Sequence, residues 1–247
     1  MPRYKLTIEH DGGPFVGWQR QENGLAVQQV MEEAIDRFDP AGAPHRLHGA
    51  GRTDAGVHAM GQVAHFDTAK YFPADTVRDA INFHVKPHPI SVLKAETVDD
   101  DFNSRFSATE RAYLYRILNR RSPAALEKGK VWEVRVDLDY KAMRDAATVL
   151  LGKHDFTSFR ATECQADSPV RTLDMIDIWR DGDEIRINVR ARSFLHHQVR
   201  NIVGTLKLVG EGKWTRDDVK AALEARDRRA GGPTAPACGL YLVEVRY

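Results

Sequence analysis

Gly49-Ala50-Gly51-Arg52-Thr53-Asp54-Ala55-Gly56-Val57-His58-Ala59-Met60-Gly61-Gln62 holds one carboxylate and one guanidinium in a stretch too rich in glycine for an ordinary core element. Its four glycines let the backbone take positive φ and come close to a ligand, and the strand-like residues Val63 to Phe66 anchor its downstream end. An isolated Asp-Ala-Gly is a common turn. Glycine-rich loops of this kind present side chains to a ligand, and Asp54 is the carboxylate this one offers.

Working outward, Tyr4, Leu6 and Ile8 alternate with polar residues from Arg3 to Glu9, the period of a half-buried strand. Val27, Val30, Met31, Ala34, Ile35 and Phe38 recur at helical spacing and predict a helix that stops before Pro40. Short strands around Arg46–Gly49 and Gln62–Phe66 bracket the glycine-rich loop. A helix carrying Val77, Ala80, Ile81 and His84 on one side and a strand from Ile90 to Val98 follow. The order is β-α-β-β-α-β.

The remainder repeats this order imperfectly. Strands are expected at Arg111–Asn119 and Val131–Val136, then a helix capped by Asp139 and ended by Gly152. Strands Val170–Trp179 and Glu184–Ser193 flank the hairpin turn Asp181-Gly182-Asp183. Val199, Ile202, Val203, Leu206 and Val209 mark an amphipathic helix, Thr215 with Asp218 three residues on can cap another, and Leu240–Tyr247 reads as a final strand. The expected fold is α+β: two pseudo-symmetric ferredoxin-like halves, residues 1–107 and 108–247, with mainly antiparallel sheets meeting around a central cleft. No proline-rich or low-complexity linker separates them near Phe106–Glu110, so a rigid interface is expected.

Composition narrows the class. With 247 residues and a hydrophobic fraction of 42%, the chain can bury a core. No apolar run approaches the roughly 18 residues that a membrane helix needs, and Met1-Pro2-Arg3-Tyr4 leads directly into a strand pattern, so a cytoplasmic protein without membrane association is expected. Cys164 and Cys238 lie far apart without metal-ligand spacing, which argues against a disulfide framework or zinc site and for small buried or neutral side chains. A net charge of +1 provides no global attraction to nucleic acid. Two local series, Arg105, Arg111, Arg116, Arg120, Arg121, Lys128, Lys130 and Arg186, Arg190, Arg192, Arg200, are candidates for a polyanion-binding face.

Three further segments carry candidate chemistry. In Arg111-Ala112-Tyr113-Leu114-Tyr115-Arg116, the two tyrosines share a strand face; each offers a ring for stacking and a hydroxyl for hydrogen bonding. Ser193 to Gly204 joins a strand to a helix and carries His196, His197 and Arg200. Adjacent histidines on a helix point to different faces, and no His-x-x-x-His or carboxylate partner is present in sequence, so no metal is expected. Asp11-Gly12-Gly13-Pro14-Phe15-Val16-Gly17-Trp18-Gln19-Arg20-Gln21 is a loop with glycines, an exposed-looking Trp18 and Arg20 ahead of the first helix.

The string Gly51-Arg52-Thr53-Asp54-Ala55-Gly56-Val57-His58 resembles the signature of the tRNA pseudouridine synthase A family, in which that aspartate is the catalytic nucleophile. Matching blocks run from Glu9 to Tyr241, among them His154–Arg160 with Cys164-Gln165, and Gly239-Leu240-Tyr241-Leu242. The resemblance implies Asp54 as nucleophile, Tyr113 as the tyrosine contacting the base, Arg200 as basic partner of Asp54, and Leu240 packing on the nucleoside to exclude water. Arg52 would fill the space left by a flipped nucleotide or hold its phosphate. It also implies the two-half architecture, a homodimer, no cofactor, and tRNA as substrate, modified at uridines 38, 39 and 40 of the anticodon stem-loop. Two departures stand out: His10 replaces the usual tyrosine before Asp-Gly, which bears on an RNA contact, and Asn82 to Ile90 departs from the family's Asn-x-x-Leu-Pro-x-Asp-Ile.

Two other classes are weighed against this. A non-catalytic RNA-binding module of RRM type would share ferredoxin-like halves but lacks the aromatic Lys/Arg-Gly-Phe-Gly-Phe strand here. A glycoside or nucleoside hydrolase needs a second positioned acid, and none accompanies Asp54 in its loop.

Overall fold

The computed structural model describes residues 1–247 as a mixed α+β protein with mainly antiparallel pairing and five α-helices. The chain forms two compact units, residues 1–109 with 241–247, and residues 110–240.

The first unit runs β1 (Arg3–His10), α1 (Val27–Phe38), β2 (His48–Gly49), β3 (His58–Asp67), α2 (Ala74–His84) and β4 (Ile90–Val98). Alternation in β1 turns Tyr4, Leu6 and Ile8 inward, where they meet Val27, Met31 and Ile35 of α1 and Val77 and Ile81 of α2. β1 lies between β3 and β4, antiparallel to both, with register irregularities after Thr7 against β4 and after Ile8 against β3. β3 begins at His58 rather than Gln62 because its first residues also find strand partners: His10 faces Ala59.

The second unit runs β5 (Glu110–Asn119), β6 (Trp132–Val134), α3 (Tyr140–Ala147), β7 (Gly152–Asp155), β8 (Val170–Leu173), β9 (Met175–Asp181), β10 (Glu184–Ala191), α4 (Gln198–Gly210) and α5 (Arg216–Ala225). β10 pairs antiparallel with β5 and β9, and β6 joins β5 in parallel. Asp139 caps α3 by accepting from the Lys141 and Ala142 amides. A full capping box between Thr215 and Asp218 opens α5. α3 does not run to Gly152: it tightens into a 3-10 turn at Thr148–Leu150, and Gly152, at φ +89°, opens β7. The single expected strand Val170–Trp179 is two, because it changes partner: β8 pairs with β7 in a separate two-stranded sheet, and β9 with β10.

The last strand, β11 (Leu240–Arg246), was expected with the second half, yet residues 241–247 group with the first unit. Tyr241 and Leu242 pair in parallel with His58 and Ala59, and the Thr109 amide donates to the Arg246 carbonyl. Within this unit β11 covers the start of β3 while β2 pairs with its later residues, His48 with His65.

Candidate active site

The glycine-rich loop of the first unit, residues 50–57, spans from β2 to β3 and is held at several points. The Ala50 amide donates to the Val63 carbonyl at 2.7 Å, and Gln62 Nε2 donates to the Gly51 carbonyl at 2.8 Å. The Trp18 amide donates to the Thr53 carbonyl at 3.0 Å, and Gly17 forms a β-bridge with Asp54. The Val57 amide closes the turn on the Asp54 carbonyl at 3.1 Å. Asp54 is thereby half-buried on a fixed backbone, between an exposed Arg52 and a buried Thr53.

The glycines serve packing more than conformation. Of the four in the loop string, only Gly56 has positive φ, +76°. A Cβ at Gly49 would lie 2.6 Å from Trp18 Nε1, and one at Gly61 2.5 Å from the Val243 carbonyl oxygen. Trp18 is not exposed but 3% accessible, seated on Gly49, so the 11–18 segment braces the loop rather than presenting an aromatic face. Gly17, at φ +115°, is required there because a Cβ would come within 2.8 Å of the Thr53 carbonyl oxygen. Arg20 remains exposed, 3.6 Å from Glu32.

His10 is 3% accessible with its ring 6.1 Å from that of Trp18, so this departure lies in the interior and not at an RNA-contacting surface. Burial, reinforced by neighbouring His58, pushes its pKa down to about 4. His58 Nδ1 lies 3.0 Å from both the Gly12 amide nitrogen and Asp11 Oδ1. The His58 ring stacks on Tyr241 at 4.7 Å.

Tyr113, Arg200 and Leu240 belong to the second unit, and Asp54 and Arg52 to the first. Tyr113 sits mid-β5 opposite Val189, 9% accessible, with Phe194 edge-on at 5.2 Å. Tyr115, on the same face, is core: its hydroxyl donates to the Pro236 carbonyl at 2.8 Å, and burial holds its phenol protonated. Arg111 at the head of the strand donates to the Arg192 carbonyl at 2.6 Å. Arg200, in the first turn of α4, donates through Nε to the Ala235 carbonyl, and the Ala235 amide returns a bond to the Arg200 carbonyl. Leu240 is buried directly after the 3-10 turn Ala237–Gly239, whose Gly239 leaves no room for a Cβ against the Tyr115 ring. One segment, residues 228–240, thus ties β5 to α4 and sets Leu240.

That segment was not singled out in sequence, although Gly231-Gly232-Pro233-Thr234-Ala235-Pro236 is a dense run of chain-turning residues. Arg228 organises it by donating to the Gly232 carbonyl, Asn201 Oδ1 and Thr234 Oγ1.

Two expectations are revised in this unit. His196 and His197 are not on the helix; they precede it, His197 in the left-handed region at φ 62°, and their ring centroids are 4.1 Å apart instead of facing opposite ways. The arginine series is not a continuous cationic face: Arg116 pairs with Glu127 and Glu184, Arg120 with Asp183, Arg186 with Asp181, and Arg190 with Glu110. Both cysteines are half-buried, and burial raises the Cys238 thiol and keeps it neutral. No helix is long and apolar enough to cross a membrane.

A family profile described as tRNA pseudouridine synthase matches residues 8–107 and 146–247. The chain is similar over all its 247 residues to proteins named tRNA pseudouridine synthase A. It is 62% identical to that of Paramagnetospirillum magneticum, covering 96% of it, and 62% identical to that of Rhodospirillum centenum, covering all of it. It is 59% identical to that of Parvibaculum lavamentivorans, again over the relative's full length.

Proposed function

The chain belongs to the tRNA pseudouridine synthase family and is an isomerase acting on tRNA uridine; we propose that Asp54 is its nucleophile and that its targets are uridines 38, 39 and 40 of the anticodon stem-loop. The observation that carries the assignment is the clamped loop: Asp54 is half-buried on a backbone fixed by Gly17, Trp18, Gln62 and Val57, the pre-organisation that an attacking carboxylate needs.

The chemistry is redox-neutral. The C1′–N1 glycosidic bond breaks, the uracil turns, a C1′–C5 bond forms, C5 gives up its proton and N1 gains one. Nothing is transferred in, so the reaction needs no cofactor by its own balance. It does need a carboxylate near the sugar and a pocket that excludes water, so that the freed base rejoins instead of leaving. Asp54 supplies the first. Tyr113 stacks on and hydrogen-bonds the base, Arg200 supports the carboxylate in its ionised form, Leu240 forms part of the dry wall, and Arg52 holds the phosphate or fills the vacated stack. The exposure of Arg52 suits that task, as does the framework that ties Leu240 and Arg200 to the strand of Tyr113.

The reading extends to two pseudo-symmetric ferredoxin-like halves divided near residue 108, with residues 241–247 grouped with the first unit, acting as a cytoplasmic homodimer. The β-α-β-β-α-β order of the first unit supports the former.

The deciding experiment is tritium release from a tRNA transcript labelled at uridine C5, comparing the wild type with Asp54→Ala and adding no metal or nucleotide. Release by the wild type alone is expected. Free uracil in its place would mean a hydrolase, and binding without release an RNA-binding module.

A further inference from the structure

In the second unit, Ala161, Glu163 and His197 face the Arg228–Thr234 turn across an open concavity of about 560 Å³. Its lining is mostly polar and holds two guanidiniums against a single carboxylate, Glu163.

The two arginines stand in different states. Arg228 is half-buried, and its hydrogen-bond partners, the Gly232 carbonyl, Asn201 Oδ1 and Thr234 Oγ1, are all neutral. A partly desolvated guanidinium held by neutral acceptors keeps its whole charge for whatever enters the concavity. Arg229 is the reverse: its side chain is 90% accessible and its ion pair, 2.7 Å to Asp227, joins neighbours in one turn. Such a surface pair exchanges partners at little cost. The turn itself is seated firmly, since a Cβ at Gly232 would lie 2.7 Å from Thr205 Cα and one at Gly231 2.5 Å from the Ser158 carbonyl oxygen.

We propose that this concavity is a phosphate site for the RNA strand beside the target nucleotide, with Arg228 as its fixed cation and Arg229 as a mobile one. The proposal rests on the tRNA reading above. Planar guanidiniums match phosphodiester oxygens, and an open dish admits a continuing chain where an enclosed pocket would admit only a small anion. Continuity with the substrate residues is covalent and direct: Asn201, which accepts from Arg228, follows Arg200 in α4, and the same turn continues into Ala235, bonded to Arg200.

The test measures binding of an unmodified tRNA anticodon-arm transcript to the full chain by fluorescence anisotropy across a salt series, with the wild type, Arg229→Gln and Glu163→Gln. Arg229→Gln is expected to weaken binding several-fold at low salt and to reduce the log–log salt slope by about 1. Glu163→Gln is expected to tighten binding several-fold, a gain that a folding defect does not produce. Wild-type affinity and slope in both variants would overturn the proposal. A second arm titrates inorganic phosphate alone: binding of free phosphate that Arg229→Gln abolishes, with RNA affinity unchanged, would make this a small-anion site and also overturn it. Tritium release by the same wild-type preparation separates the two readings. Release without any variant effect removes only the phosphate site, and variant effects without release remove only the isomerase assignment.

Discussion

Gln62, fully buried in β3, donates its amide to the Gly51 carbonyl at 2.8 Å and so fixes the loop three residues before Asp54. Its Oε1 accepts the Val63 amide, so both ends of the side chain are engaged. Gln62→Leu leaves the Gly51 carbonyl without that donor. A loss of about 1–3 kcal/mol in stability is expected. Because the loop loosens without losing a substrate contact, kcat for tritium release is expected to fall by more than tRNA affinity does. Equal changes in both would remove Gln62 as a positioning residue.

Asp54→Asn keeps the side-chain volume and the backbone bonds of the loop, since the Val57 amide bonds the Asp54 carbonyl and not its carboxylate. Tritium release is expected to drop by about 10³-fold or more, with the melting temperature moving by only a few degrees. Residual release within tenfold of wild type would move the nucleophile elsewhere.

Acid should unfold this protein through its buried histidines. Burial, aided by His58, lowers the His10 pKa to about 4, and burial, aided by His48 and Arg3, lowers that of His65 to about 4. In the unfolded chain both titrate near 6.5. Between those values the unfolded state binds the protons that the folded state refuses, so stability falls as pH drops below about 6.5 and keeps falling towards about 4. Each group contributes up to about 1.4 kcal/mol per pH unit in that window. Melting temperatures from pH 7.5 to 4.5 check this, with a shallower slope expected for His10→Asn; a flat profile would contradict it.

Gly204 lies in α4 against the turn that follows Arg228. A Cβ there would fall 1.7 Å from the Pro233 carbonyl oxygen, a backbone atom with nowhere to go while Arg200 and Ala235 remain bonded. Gly204→Ala is expected to cost about 1–3 kcal/mol and to weaken tRNA binding by displacing residues 231–236. A Gly204→Ala protein with wild-type melting and binding would mean the turn is free to shift.

Much of this molecule was legible in one dimension. The buried faces of α1 and α4, the Asp139 cap, the Thr215–Asp218 capping box and the turn at Gly182, φ 58°, all depend on residues within a few positions of each other, so local pattern suffices. The Asp54 loop was legible for another reason: its contiguous string resembles a family signature. Leu240 and Arg200 were reachable only through that resemblance, since a lone leucine or arginine carries no signal of its own.

What the sequence by itself determined is therefore the helices, most of the strands and the identity of the Asp54 loop. Tertiary structure decided the pairings. Trp18 is buried because Gly49 offers it a flat seat, and the arginines of β5 and β10 are neutralised because antiparallel register sets Arg116 opposite Arg186 and beside Glu184. Val170–Trp179 splits where its partner changes, and Tyr241–Tyr247 joins the first unit through β3. Each outcome depends on a residue or strand far along the chain. The free energy of burial or pairing belongs to the pair, and one partner's sequence does not contain it.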